Sequence, residues 1–350
     1  MLRQIQSPIH VVGEPNANPL EPLAQTVGAR PRVFVVRRLP SPIEAQLRAR
    51  YDVELNPTDE TYSLDRLVAA ARDFDAIIPT VVDNVPEAVF AATPLRIRIV
   101  ANYGVGFDRI DLNAARAHRV VVTNTPGVLT EDTADLTMML ILAAARRASE
   151  AERQLRAGSW EGWRPTHMLG TRVHGATLGI VGFGRIGAAV ARRAYCGFGM
   201  RVLFVNPSTP DARAVADAAA ERCDSLEALL AQCDFVSLHA PARPDTRRML
   251  DATRIASMRR GAILVNTARG DLVDDNALAV ALEQGSLSAA GLDVFEREPT
   301  VSPRLLALEN VVLLPHIGSA TTSSRVAMGE RVLANLDAFF RGVAPPDRLA

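Results

Sequence analysis

Residues 177–187, T-L-G-I-V-G-F-G-R-I-G, leave the chain little freedom of fold. Leu178, Ile180 and Val181 form a short apolar run suited to a parallel strand covered on both faces. Gly182, Gly184 and Gly187 follow at G-x-G-x-x-G spacing. In that pattern the first glycine turns the chain, the second lets backbone approach a pyrophosphate, and the third lets a helix lie close to the strand. A helix over 185–195 aims its free N–H groups at such phosphates, and a second strand over 201–205 completes the βαβ unit that raises the motif above a tight turn.

About 20 residues beyond the glycines, a dinucleotide site usually carries an acid that holds the ribose 2′-OH of NAD. Here that position is Asn206, followed by Pro207, Ser208 and Thr209. Asparagine can bond a ribose hydroxyl but has no charge to repel a 2′-phosphate, and no arginine follows at once to bind one. The cofactor expected is NAD or NADP, with NADP favoured. Asn206 reads either as a direct cofactor contact or as the opening of a turn before proline.

At 350 residues the chain is long enough for two cores. Its 39 basic and 39 acidic residues cancel, so no field gathers nucleic acid or an anionic membrane, and neither is expected as a partner. Arginine supplies every basic residue other than histidine; without lysine, Schiff-base chemistry and a lysine P-loop are excluded. Cys196, Cys223 and Cys233 lack C-x-x-C spacing and read as free thiols of a cytoplasmic protein, with no metal expected. Residues 1–30, punctuated by Pro8, Pro15, Pro19 and Pro22, read as an irregular extension.

Ahead of the glycine motif, strands expected from Arg32 and at 51–55, 76–79, 97–101 and 120–123 alternate with helices over 42–50, 64–72 and 86–92. Such alternation implies a parallel sheet with helices on both faces. The loop 102–108, N-Y-G-V-G-F-D, can turn backbone N–H groups toward a small carboxylate or serve only as a flexible connection. Thr130 is placed to cap one long helix, to about Arg156, that connects two domains. Residues 159–165 hold both tryptophans, Trp160 and Trp163, and read as an interface or a pocket wall.

Behind the motif, strands at 234–238, 262–266, 289–294 and 311–314 end in polar residues, at the edge where open α/β sheets bind ligands. A last helix over 321–341 returns to the first domain. The fold expected is α/β with two doubly wound parallel-sheet domains. A Rossmann dinucleotide-binding domain, residues 129–316, is inserted in a smaller flavodoxin-like substrate domain of residues 31–128 and 317–350.

Three residues beyond strand ends can do redox work on a carbonyl. Arg269 offers a planar fork of donors, His316 can exchange a proton near neutral pH, and Glu298 can orient it. Singly, each reads equally as a solvated charge or a structural group. In order along the chain, however, G-F-G-R-I-G (182–187), L-H-A-P-A-R-P-D-T (238–246), N-T-A-R-G-D-L-V-D (266–274), G-L-D-V-F-E-R-E-P (291–299) and P-H-I-G-S-A-T (315–321) resemble the motifs of the D-isomer-specific 2-hydroxyacid dehydrogenases. The W-x-x-W-x-P loop makes the chain look most like the glyoxylate/hydroxypyruvate reductases of that family.

The resemblance implies reduction of a small 2-oxo acid to the D-2-hydroxy acid by hydride transfer from NAD(P)H, with His316 as proton donor. It assigns Arg269 to the substrate carboxylate and carbonyl, Glu298 to pairing with His316, and the backbone of Val105 and Gly106 to gripping the carboxylate. It also brings Arg185 and Ile186 to the pyrophosphate, Thr267, Asp293 and His316 to the nicotinamide end, and Thr246 to the cofactor's flank. Trp163 is expected to reach the active site of the other subunit of a homodimer. The departure from the family pattern is at Asn206 and Pro207, which match neither an NAD-type acid nor an NADP-type arginine. The alternative activity is a nucleotide-sensing, corepressor-like binding protein on the same fold.

Overall fold

The structure, a computed structural model, describes residues 30–350, so the extension expected over 1–30 lies outside the described residues except for Arg30. In the first part of the chain, β1 (Arg32–Val35), α1 (Ser41–Arg50), β2 (Asp52–Glu54), α2 (Leu64–Asp73), β3 (Ala76–Ile78), α3 (Glu87–Phe90), β4 (Ile99–Ala101), α4 (Leu112–Ala117) and β5 (Val121–Thr123) alternate. The strands pair in parallel in the order β2-β1-β3-β4-β5. Val33, Phe34 and Val35 are all fully buried, as a strand covered on both faces requires. The short α4 was not expected from the apolar pattern; its signal is Asp111, whose side chain caps the N–H of Ala114.

The single connecting helix expected to Arg156 is two helices, α5 (Thr130–Ala145) and α6 (Ala148–Arg156), broken where Arg147 takes a left-handed φ of 53°. The cause is tertiary. The Thr171 N–H donates to the Ala145 carbonyl at 2.8 Å, Gly170 packs on the same group, and the Arg147 guanidinium turns to Glu150 at 2.6 Å. Thr130 is also not the cap. Leu129 occupies that position without a side-chain bond, and Asp132 in the first turn instead accepts hydrogen bonds from the Thr321 and Ser324 hydroxyls.

The chain continues as β6 (Thr177–Val181), α7 (Arg185–Phe198), β7 (Arg201–Val205), α8 (Ala212–Asp217), β8 (Glu221–Arg222), α9 (Leu226–Leu230), β9 (Phe235–Leu238), α10 (Ala252–Ser257), β10 (Ala262–Asn266), α11 (Asp275–Glu283), β11 (Leu287–Leu292), α12 (Pro303–Leu306), β12 (Val311–Leu313) and α13 (Thr322–Phe340). The second sheet has the order β12-β11-β10-β9-β6-β7-β8. With β7 on one side of β6 and β9 on the other, strand order reverses at β6, and the glycine loop leaves the sheet at that switch point.

Helix α5 packs on α7, β10 and β11, with Leu140 and Ile141 fully buried. Helix α13 goes back to the first sheet. Its Met328, Val332, Leu336 and Phe339 recur about once per turn and meet Ile43 and Leu47 of α1 and Ile99 of β4. Beyond it, the Leu349 N–H donates to the Val122 carbonyl at 2.7 Å, and Arg348 pairs antiparallel with Thr123, covering the edge of β5.

Candidate active site

The first part of the site is the turn from β6 into α7. Gly182 has a φ of +95°, and a Cβ there would lie 2.8 Å from the backbone of His239 and Ala240, so glycine is needed for both conformation and space. Helix α7 starts at Gly184 with no side-chain cap, and the N–H groups of Arg185, Ile186 and Gly187 have no acceptor among the described residues. Three unpaired donors at a helix terminus fit a pyrophosphate.

The Asn206 side chain is engaged within the protein. Its Oδ1 accepts from the Phe183 N–H at 2.9 Å, and its Nδ2 donates to the carbonyl and hydroxyl of Ser208 at 2.9 and 3.1 Å. It ties the glycine loop to the following turn, and its carbonyl oxygen is already occupied by a backbone donor. Arg222, opposite Phe204 in the β7–β8 register, donates from Nη2 to the Asn206 carbonyl at 2.8 Å. Its neighbour Glu221 pairs with Arg201, which leaves Arg222 without a carboxylate partner among the described residues.

The second part is the loop after β4. Asn102, 1% exposed, donates through Nδ2 to the carbonyls of Gly104 at 3.1 Å and Gly106 at 2.8 Å. Asn124 donates likewise to the Val105 carbonyl at 2.9 Å. In a trans peptide the N–H points opposite the carbonyl, so drawing in the carbonyls of Gly104 and Val105 turns the N–H groups of Val105 and Gly106 outward. Neither N–H has an acceptor among the described residues. The two asparagines thus turn two free N–H groups outward from one loop, an arrangement that fits a small anion.

The third part lies beyond β10, β11 and β12. His316 Nδ1 is 2.8 Å from Glu298 Oε2, and the other Glu298 oxygen accepts from the Phe295 N–H at 3.0 Å. A carboxylate on Nδ1 keeps the proton there in the neutral ring and directs Nε2 away as the exchanging atom. Burial pushes the Glu298 carboxyl up, but the His316 hydrogen bond and charge, the Phe295 N–H and the charge of Arg269 outweigh it and hold the group below its ordinary value. Glu298 therefore stays ionised beside the His316 ring.

His316 itself has a φ of 55°, a left-handed conformation that costs a non-glycine residue of order 1 kcal/mol. Asp293, 1% exposed, holds that turn by accepting the N–H groups of Ile317 at 2.7 Å and Gly318 at 2.8 Å. Burial raises the Asp293 carboxyl, against those N–H bonds and the His316 charge. Both of its oxygens thus serve the histidine turn.

Arg269 crosses from the end of β10 to the loop after β4. Its Nε donates to Asp108 Oδ1 at 2.9 Å and its Nη1 to the Ala268 carbonyl at 2.7 Å. The hydroxyl of Thr267 is 2.8 Å from that of Thr137, which itself donates to the Thr133 carbonyl, so Thr267 is the donor between them. Thr246, 8% exposed, closes a local turn by donating to the Pro241 carbonyl at 2.7 Å and accepting the Arg243 N–H at 2.9 Å. Trp163 is 82% exposed, in the loop that follows α6. The sequence reading assigned no role to Asn102 or Asp108, the two ends of the glycine loop, and did not single out Asn124 or Arg222 at all. The amides flanking a glycine loop were the available sign for the two asparagines.

Proton exchange beside a dinucleotide-binding sheet edge, with an arginine fork reaching the same cleft, is the equipment of an oxidoreductase that uses a nicotinamide nucleotide. The comparisons with known proteins narrow that class. A family profile described as the NAD-binding domain of D-isomer specific 2-hydroxyacid dehydrogenases matches residues 138–318, and the chain belongs to that family. It is 46% identical to the glyoxylate reductase of Thermococcus kodakarensis, over 91% of this chain and 95% of the relative. A Thermus thermophilus protein of known structure superposes with a TM-score of 0.83 at 44% identity, covering 91% of this chain and 100% of that one. The NADPH-dependent glyoxylate/hydroxypyruvate reductase of Sinorhizobium meliloti, solved with NADP and malonate, gives 0.80 at 33% identity, covering 92% and 97%.

Proposed function

We propose that the chain reduces a small 2-oxo acid, glyoxylate or hydroxypyruvate, to the D-2-hydroxy acid. The observation that carries this is the His316 Nδ1 to Glu298 contact at 2.8 Å, which leaves Nε2 to act as the acid. A bound nicotinamide supplies the hydride. Arg269 and the outward N–H groups of Val105 and Gly106 hold the substrate carboxylate and polarise its carbonyl; His316 then gives its proton to the developing alkoxide, and Glu298 stabilises the imidazolium beforehand. Such acid catalysis is typically worth about 10²–10⁴-fold. The remaining acceleration comes from orienting the acid in a fixed pose.

The five-stranded sheet with α13 is read as the substrate domain, residues 31–128 and 317–350, and the seven-stranded sheet as the nucleotide domain, residues 129–316. For the cofactor, NADP is favoured. Asn206 carries no charge, and Arg222 presents a guanidinium free of carboxylate partners among the described residues beside it. Asp293 and Thr267 act at the nicotinamide end, the first through the His316 turn.

A homodimer is the proposed assembly, with Trp163 reaching the partner's site. Its support is the apolar side chains left at the surface. An open groove of about 560 Å³ runs between Met138, Met139 and Leu142 of α5 and Phe198, and Leu155, Trp160 and Leu169 stand exposed along α6 and its loop. Among the described residues no helix is long and apolar enough to cross a membrane, and no cluster of His, Cys, Asp or Glu is arranged to hold a metal. A cytoplasmic location is proposed on the three free thiols. Product stereochemistry tests the activity. Hydroxypyruvate is expected to yield D-glycerate on chiral chromatography, and L-glycerate would contradict the proposal.

A further inference from the structure

Arg269 is fixed from two sides, and one of the holders stands on the opposite sheet's loop. A guanidinium has five N–H donors in a rigid plane. Here Nε is taken by Asp108 at 2.9 Å and one Nη1 hydrogen by the Ala268 carbonyl at 2.7 Å. Nη2 is left, and it lies against Gly106: a Cβ on that glycine would sit 1.4 Å from Arg269 Nη2 and 3.0 Å from Asp108 Oδ1. The free edge of the fork is thus delivered to the loop whose N–H groups of Val105 and Gly106 point outward. The Arg269 and Asp108 side chains are only 22% and 23% exposed, so their ion pair is partly shielded from water.

From this we propose that Asp108 is a positioning residue for the reaction: by anchoring Nε across the cleft it sets the plane of Arg269, so that Nη2 and the loop N–H groups converge on one substrate carboxylate. The proposal rests on the assignment of Arg269 to that carboxylate. The arrangement has a cost, because a carboxylate beside an anion site repels the anion. Asp108 is useful there only if the orientation it imposes outweighs that repulsion, and the two effects have opposite signs on substrate affinity.

Steady-state kinetics with glyoxylate separates them. Asp108→Ala is expected to raise KM by about 10- to 100-fold, the range for losing a hydrogen bond to a charged group, with the NADPH Kd within about twofold of wild type. Asp108→Asn keeps an acceptor for Nε and is expected to stay within a few-fold of the wild-type KM. In an Arg269→Ala background, Asp108→Ala should raise KM no further and, by relieving the repulsion, is expected to lower it, since the orienting effect acts only through Arg269. A KM for Asp108→Ala at or below the wild-type value, beside a raised KM for Arg269→Ala, would overturn the positioning role while leaving Arg269 in place. An undiminished effect of Asp108→Ala without Arg269 would also overturn it. If Arg269→Ala itself leaves KM unchanged, the assignment fails and the positioning role with it.

Discussion

His316 shows how much structure a single proton donor requires. Its ring is set by Glu298 at 2.8 Å, and its left-handed backbone is held by the two N–H groups that Asp293 receives. His316→Gln keeps a polar side chain but cannot deliver a proton, so kcat should fall by about 10²–10⁴-fold, with NADPH binding by fluorescence titration retained. A kcat within a few-fold of wild type would remove His316 from the chemistry. Their places beyond strand ends, with the family resemblance of the motifs that hold them, named Arg269, Glu298 and His316, and the structure brings Glu298 and His316 into contact. The sequence could not name Asp108 as the partner of Arg269, because the two are 161 residues apart and meet only through the packing of two sheets. Asn206 read either as a cofactor contact or as the opening of a turn; its Nδ2 donates to Ser208 within that turn, and its Oδ1 accepts from the Phe183 N–H.

At the scale of elements, most strand positions were legible because buried parallel strands leave apolar runs, as in Val33 to Val35 and Leu264 to Val265, whereas the edge strand β8, with Glu221 and Arg222 both exposed, leaves none. The division of α5 from α6 was not legible: neither glycine nor proline marks it, and the break comes from the return of Thr171 to the Ala145 carbonyl. Helix α11 yields a pH prediction. Burial pushes Asp275 at its first turn up from 3.8 to about 6, with Glu296 and Asp274 adding to the rise against a backbone hydrogen bond from Glu296 and the charge of Arg248. Because the folded value is raised, the native state holds a proton through this window that the unfolded chain has released, and stability falls as pH rises toward about 6. Asp275→Asn removes that loss. Its urea midpoint relative to wild type should be higher at pH 7.5 than at pH 4.5; an equal difference at both would refute the effect of burial.

For the whole molecule, α/β alternation and a glycine motif at the switch point account for two parallel sheets, and Arg269 beyond one meets Asp108 beyond the other. The return of α13 to the first sheet, with Leu336 fully buried there, makes the first unit discontinuous in sequence and ties both ends of the described residues to one core. The cleft then holds groups from both sheets: Val105, Gly106 and Asp108 from one, Arg269, Glu298 and His316 from the other. The most direct test of the function is the initial rate of NADPH and NADH oxidation by the intact protein with glyoxylate and with hydroxypyruvate. Rapid oxidation of NADPH with both acids, faster than of NADH at equal subsaturating concentrations, is the predicted result. Demonstrable NADPH binding with no oxidation by either acid would contradict it.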